Sequence, residues 1–318
     1  MLKGMAPSAA LVSVLAEIKR RQDRNKLKTY RPYERQLEFH NASAQYRERL
    51  FMAGNQLGKT WSSAYEIAYH LTGKYPDWWQ GKRWRRGVTG WALGESMEST
   101  RDTLQRLVMG RPGEWGTGTL PADSIIEIKR AQGIADSIDT VYVRHASGGI
   151  SRLYFKSYEK GRSKLQGETI DFAALDEEPP LDIYTEVLTR TNATKGIVWI
   201  TFTPLLGMSA VVKRFLAEKN PDRCVTRMTI RDVKHYTPEE IERIEASYPA
   251  HERKARANGE PVLGDGQVFP VLEDLITCQA FSLPDSWPTH RGYRLRMGPP
   301  DSAGVDRMGP RQRHHVRL

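Results

Sequence analysis

The stretch Ala53-Gly54-Asn55-Gln56-Leu57-Gly58-Lys59-Thr60 puts two glycines, an ammonium and a hydroxyl into one short loop. An apolar run, Leu50 to Ala53, enters it, and a helical pattern from Trp61 to Leu71 leaves it. A glycine-rich loop that ends at a helix N-terminus aims backbone N–H groups at an anion. In such a loop Lys59 would meet the β- and γ-phosphates of a nucleotide, and the Thr60 hydroxyl would ligate Mg²⁺. The usual spacing has glycine at position 53, where this chain has alanine. Gly-Lys-Thr before a helix also arises by chance, so the loop needs chemical partners elsewhere in the chain.

A second stretch supplies them. Ile170-Asp171-Phe172-Ala173-Ala174-Leu175-Asp176-Glu177-Glu178 is a mostly apolar strand pattern that runs straight into carboxylates. In an open α/β sheet, ligands bind at the C-terminal ends of the strands. One carboxylate there can hold Mg²⁺ through its water shell, and the next can polarise an attacking water. The competing reading is an acidic loop that only caps a helix. A third stretch repeats the logic: the apolar run Gly196 to Ile200 ends in Thr201-Phe202-Thr203-Pro204, whose hydroxyls could sense a γ-phosphate. Alone it reads equally well as an ordinary strand exit. Gln36, in a short helix ahead of the glycine loop, carries both a donor and an acceptor and so could read an adenine edge. By spacing alone it is better read as a surface glutamine.

The elements that must position these residues are set by periodicity and punctuation. Leu11, Leu15 and Ile18 recur at helical spacing in a leader crowded with Lys19, Arg20, Arg21, Arg24, Lys26 and Lys28. Pro32 suits a helix start, with Leu37 and Phe39 facing inward. Trp78-Trp79, in a Gly/Pro/Asp-marked loop, should cap the core. Gly87 to Leu93 reads as a strand, followed by a helix from Gly94-Glu95-Ser96 to about Met109 and a Gly/Pro-rich loop from Gly110 to Asp123. Thr140–His145 and Arg152–Tyr158 alternate around Ser147-Gly148-Gly149 as a hairpin. Later come a helix from about Ser209 to Lys219 and a strand from Cys224 to Ile230. A helix capped by Thr237-Pro238 runs to about Tyr248, and another opens at Pro249.

Composition bounds the rest. The 318 residues, 39% hydrophobic and 27% charged, describe an ordinary globular chain rather than a low-complexity one. Cys224 and Cys278 are too few for a disulfide framework or a cysteine metal cluster and fit a reducing compartment. The apolar stretch Ala9 to Ala16 is too short to span a membrane, and it leads into Glu17-Ile18-Lys19-Arg20-Arg21 with no cleavage signal, so neither a membrane partner nor a signal peptide is expected. The net charge of +10 permits contact with a polyanion, although a solvated basic surface explains it as well.

Taken together, collinear and in this spacing, the motifs over about residues 30 to 280 resemble the large subunit of tailed-bacteriophage terminases. Residues 53–60 look like that family's variant Walker A, in which alanine at the first position is tolerated. Leu71 to Trp79 is similar to a phrase of one subgroup, and Leu175-Asp176-Glu177-Glu178-Pro179 looks like Walker B with its catalytic glutamate. Thr201-Phe202-Thr203-Pro204 looks like the coupling motif, and Gln36 sits where the family places an adenine-reading glutamine.

The resemblance implies an α/β fold, a P-loop NTPase of the additional-strand, catalytic-glutamate class with a mostly parallel central sheet. The unit from Gly87 to Met109, lying between the two Walker motifs, agrees with it. It implies ATP and Mg²⁺ as cofactors. Ala53 through Thr60 would hold the triphosphate, with Lys59 acting on it in catalysis; Thr60 and Asp176 would hold the metal. Glu177 would activate water, and Thr201 and Thr203 would carry the coupling. Many terminases have an arginine in the Walker A loop; here Asn55 and Gln56 stand there, so Arg162 or Lys164 is the candidate cation, acting on a neighbouring subunit. The implied partners are double-stranded DNA, a small terminase subunit, a portal protein and further copies in a ring, all in the host cytoplasm.

The expected layout is a basic leader helix over 1–29, the ATPase domain over 30–259, a linker over 260–266 and a truncated start of an RNase H-like nuclease domain over 267–295. Residues 296–318 are Gly-, Pro- and Arg-rich without apolar period, so they should be disordered, and no carboxylate set for a nuclease is expected in this chain. Two readings compete with an ATP-driven motor: a non-catalytic or decayed prophage remnant that binds DNA or assembly partners, and a helicase-like P-loop ATPase unrelated to packaging.

Overall fold

A computed structural model describes residues 9–23 and 25–261 of the chain. The expectations for residues 262–318, which include most of the linker, the nuclease start and the tail, fall outside the described residues. Helix α1 (Ala9–Asp23) precedes α2 (Glu34–Ala42), β1 (Glu48–Ala53), α3 (Lys59–Thr72) and β2 (Thr89–Gly94). Next come α4 (Met97–Thr100), a π-helical turn over Arg101–Gln105 and α5 (Arg106–Met109). Strands β3 (Ile125–Arg130), β4 (Ile138–Arg144), β5 (Ile150–Ser157) and β6 (Phe172–Asp176) come after it, then α6 (Leu181–Arg190), β7 (Ile197–Phe202) and α7 (Ala210–Leu216). Strand β8 (Arg223–Met228), α8 (Pro238–Ser247) and α9 (Arg253–Asn258) complete it.

The strands form one sheet in the order β3-β4-β5-β2-β6-β7-β1-β8. From β5 to β8 every neighbouring pair is parallel, while β3 and β4 extend the sheet antiparallel. Strands β1, β6 and β7 are buried along their whole length, as the continuous apolar runs of a two-sided parallel sheet require. Alternate residues feed two cores. Phe51, Trp199 and Phe172 pack with Ile67, Ala68 and Leu71 of α3 on one face. Leu50, Met52, Val198 and Ile200 pack with Ile183, Val187 and Val212 of α6 and α7 on the other. Each large apolar side chain removed from water contributes about 1.5–3 kcal/mol, so these faces fix which strand ends converge.

The strand between the Walker A strand β1 and the Walker B strand β6 is β7, paired to both. The additional strand is therefore present, but the Gly87–Met109 unit does not supply it. That unit contributes β2, which lies on the outer side of β6. Three other expectations shift. Strand β3 falls just beyond the Gly/Pro-rich loop, where the sequence pattern predicts none. The last helix begins at Arg253 rather than at Pro249. Helix α1 forms as the spacing predicts, but Leu11, Leu15 and Ile18 remain about half exposed instead of entering a core. Trp79 is buried and packs edge-on against His70 and tilted against Tyr75.

Candidate nucleotide site

The parallel register brings the ends of β1, β6 and β7 together: Asp176 pairs with Thr201, and Met52 pairs with Phe202. The loops that leave these strands are therefore neighbours, and so are their side chains. The Thr60 hydroxyl, at the start of α3, donates to Asp176 Oδ1 at 3.0 Å, and the Thr201 hydroxyl donates to the same oxygen at 2.9 Å. Lys59 Nζ donates to Thr203 Oγ1 at 3.0 Å, and the Thr203 hydroxyl donates to the Ala53 carbonyl at 3.0 Å. Six of the residues singled out in the sequence, Ala53, Lys59, Thr60, Asp176, Thr201 and Thr203, are thus joined by hydrogen bonds across three strand ends.

The loop itself is built for close approach. Gly58 has φ +83°, and a Cβ there would meet Gln36 Nε2 at 2.9 Å. A Cβ on Gly54 would meet the Arg256 carbonyl oxygen at 2.5 Å, because the end of α9 lies against the loop and Asn55 N–H donates to that same carbonyl at 2.8 Å. Position 53 has no such need. Ala53 is the last residue of β1, in register with Met228, and is not among the residues with positive φ. Alanine therefore fits where the common motif has glycine.

Glu177 and Asp176 differ in environment. Burial pushes Asp176 up from its ordinary value, opposed by the hydroxyls of Thr201 and Thr60 and the charge of Lys59. Burial pushes Glu177 up to about 7, with Lys59 opposing and Asp176, Glu95 and Glu178 reinforcing the rise. A carboxylate of that pKa is matched to proton transfer near neutrality. Glu177 also sits at φ 62°, a left-handed backbone that costs a non-glycine residue about 1–2 kcal/mol. Its N–H donates to the Thr201 carbonyl at 3.0 Å, and Tyr158 Oη donates to the carbonyls of Asp176 (2.9 Å) and Glu177 (3.2 Å). Burial, then the charges of Asp176 and Glu177, raises the Tyr158 phenol, which keeps it a donor. No sequence motif points to Tyr158; only the sheet order β5-β2-β6 brings it here.

Two predicted residues have other partners. The Gln36 amide is buried, with Nε2 3.4 Å from both the Leu57 and Gly58 carbonyls. Its Oε1 accepts from Tyr33 N–H at 3.0 Å and from Tyr30 Oη at 3.4 Å. The partners of the amide are protein groups, so in this arrangement it lies against the glycine loop and the start of α2. Arg162 is exposed, and its Nε donates to Glu186 on α6 at 2.8 Å; it is not among the groups hydrogen-bonded to Lys59, Asp176 or Glu177.

The donor set at Thr60 and Asp176 is oxygen only. Among the described residues no group of three or more His, Cys, Asp or Glu is placed to hold a metal ion. One carboxylate and one hydroxyl, completed by phosphate oxygens and water, is what Mg²⁺ ordinarily takes from a protein, so the residues fit that ion.

Sheet order and site together define a P-loop NTPase fold of the additional-strand class. The family model "Terminase large subunit, T4likevirus-type, N-terminal" matches residues 50–274. The chain is 43% identical over 295 residues to the terminase large subunit of Salmonella phage P22, covering 86% of this chain and 59% of that protein. It is 38% identical over 199 residues to the terminase large subunit of Enterobacteria phage LP7, covering 60% of this chain and 41% of that one. Among solved structures it is similar to the large terminase ATPase domain of Thermus phage P74-26, with TM-score 0.53 and 20% identity over 74% of this chain and 96% of that one. It is also similar to the large terminase from a thermophilic bacteriophage in complex with ADP, with TM-score 0.51 and 13% identity over 71% of this chain and 52% of that one. The chain belongs to the terminase large-subunit family. It spans 59% of the length of the P22 relative.

Proposed function

We propose that the chain is an ATP-hydrolysing motor subunit of a phage terminase, moving double-stranded DNA into a procapsid. The observation that carries this reading is the hydrogen-bonded set Lys59–Thr203 and Thr60–Asp176–Thr201, with Glu177 beside it at a pKa of about 7. The N–H groups of residues 56–60 and the Lys59 ammonium would bind the triphosphate. Thr60 and Asp176 would hold Mg²⁺, which when bound neutralises charge on the phosphate oxygens. Glu177 would take the proton of the attacking water.

The coupling runs through Lys59. A γ-phosphate would compete with Thr203 for the ammonium, and Thr203 also holds the Ala53 carbonyl, so occupancy and hydrolysis would be felt in the segment after β7. Arg162, exposed on a short 3-10 turn, is proposed as the cation offered to a neighbouring copy in a ring on the portal, with Lys164 in the same turn as the second candidate. A small terminase subunit is the further partner, and the host cytoplasm is the place of action; no helix among the described residues is long and apolar enough to cross a membrane.

The test is ATP hydrolysis by the purified chain with and without duplex DNA. The wild type should hydrolyse ATP and be stimulated by DNA, while Lys59→Ala and Glu177→Gln should lose both activities. Equal hydrolysis by wild type and Lys59→Ala would overturn the reading.

A further inference from the structure

The sheet end opposite the nucleotide site is strongly basic. The strands enter there, and the segments leading into them carry Arg47 before β1, Lys82, Arg83, Arg85 and Arg86 before β2, and Lys195 before β7. These cations form one connected surface. Trp84 lies beneath Lys82 Nζ (4.4 Å) and the Arg86 guanidinium (5.4 Å), and Lys82 Nζ donates to the Lys195 carbonyl at 2.5 Å. Arg47 donates to the Leu188 carbonyl, Thr191 and Asn192 of the turn that leads to Lys195. Lys195 holds φ 52°, a left-handed backbone.

Acidic groups offset only part of this surface: Asp171 pairs with Arg86, and the exposed Asp123, 3.6 Å from Lys74, lines the same pocket as Arg144. Asp171 is buried and consumed by two hydrogen bonds from Arg86. Glu48 and Glu186 are buried and already paired with arginines, Glu48 with Arg223 and Glu186 with Arg162 and Arg190. Asp222, before β8, stands at the far edge. Arg85 and Lys195 are exposed and make no ion pair among the described residues. The crowding registers on Lys82, whose pKa is lowered by burial and by Arg47 and Arg86, against the attraction of Asp171. From Arg144 at the end of β4 to Arg47 the row crosses β5, β2, β6 and β7. At roughly 4.8 Å per strand that is about 24 Å, or about two thirds of a ~34 Å helical turn of duplex DNA.

We propose that this end of the sheet is a docking surface for the phosphate backbone of duplex DNA. The surface is rich in guanidinium groups, the residue type best suited to phosphate oxygens, and it is set on strand-entry loops that a buried sheet holds rigid. Because it lies at the end away from Lys59 and Asp176, a duplex bound there does not compete with a triphosphate. The proposal rests on the motor reading above, but its test is separable from it.

The experiment measures binding of a short blunt duplex by fluorescence anisotropy between 50 and 200 mM salt, comparing the full chain with an Arg85→Gln/Lys195→Asn double variant. Both substitutions are on exposed side chains, and asparagine tolerates the left-handed backbone at position 195. Two lost phosphate contacts should reduce the slope of log affinity against log salt by about 2 and weaken binding roughly tenfold or more at low salt. ATP hydrolysis without DNA should be unchanged, since neither residue touches the nucleotide site. The same affinity and slope in the double variant overturns the proposal. So does a variant that keeps duplex binding and loses binding to phosphatidylserine vesicles, which assigns the surface to a membrane. Absence of ATP hydrolysis in the wild type refutes the motor reading but leaves the duplex measurement standing.

Discussion

On the proposed mechanism, the pH dependence of ATP hydrolysis follows from where Glu177 sits. Burial raises its carboxyl to about 7 against the pull of Lys59. Only the ionised form accepts a proton from water, so activity should rise as pH passes upward through 7. At pH 6 roughly one tenth of the molecules carry the carboxylate, and at pH 8 roughly nine tenths do. The value belongs to the chain without nucleotide, and kcat/KM is the parameter that reports the free enzyme. Measured between pH 5.5 and 8.5, kcat/KM for ATP should therefore climb close to tenfold from pH 6 to 8. Glu177→Gln should lower the rate by about 10²- to 10⁴-fold and abolish the limb. A profile that is flat from 6 to 8 in the wild type, or a limb near the ordinary glutamate value, refutes the assignment of Glu177 as the proton acceptor.

Further outcomes are expected across the fold. Glu177→Gly should raise the thermal midpoint by roughly 1–4 °C while removing activity, because it relieves the φ 62° backbone and the partly buried carboxyl; a scanning calorimeter decides it, and a lowered midpoint counts against strain at this residue. Glu66 lies buried among Arg49, His40 and His70. Burial alone would raise its pKa, yet Arg49 and the two imidazoles hold it well below the ordinary value, so Glu66→Ala, which leaves Arg49 buried and unpaired, should cost about 3–5 kcal/mol in urea unfolding. Burial also lowers His40 and His70: the fold keeps them neutral while the unfolded chain takes up protons below about pH 6.5, so this stability is present above that pH and is lost as pH falls below it. Urea midpoints at pH 7.5 and 5.5 should show the drop, and it should shrink in His40→Gln. Gly259→Ala should loosen α9 from the Walker A loop, since Gly259 has φ +62° and a Cβ there would lie 2.9 Å from Ala53 Cα; ATP affinity should fall with it, measured by titration.

What the sequence disclosed and what it hid divide along physical lines. Strands β1, β6 and β7 were legible because a strand buried on both faces is a continuous apolar run, and their chemistry comes directly after them in the chain. The β4–β5 hairpin was legible from Gly148-Gly149. Strand β3 was not: Ile125 and Ile126 stand side by side, the pairing with β4 carries register shifts, and the edge strand is half exposed, so no clean alternation remains. Which strand separates the Walker strands is a matter of sheet order, and order leaves no trace in local periodicity. The Glu66 cluster gathers residues from α2, β1 and α3 that meet only when α3 packs on β1. Gln36 and Arg162 were found as residues, but their partners, the Gly58 carbonyl and Glu186, lie 22 and 24 positions away. Long-range partners of this kind are fixed by packing.

The central claim is that one site, built by Lys59, Thr60, Asp176 and Glu177, binds ATP and cleaves it. The most direct measurement is ATP binding and single-turnover hydrolysis, with Mg²⁺, on wild type, Lys59→Ala and Glu177→Gln side by side. The account predicts that Glu177→Gln binds ATP about as tightly as wild type but leaves it uncleaved, and that Lys59→Ala binds at least roughly tenfold more weakly, the loss expected for one charge-assisted phosphate contact. Wild-type binding and cleavage by Lys59→Ala, or cleavage by Glu177→Gln at the wild-type rate, would contradict it.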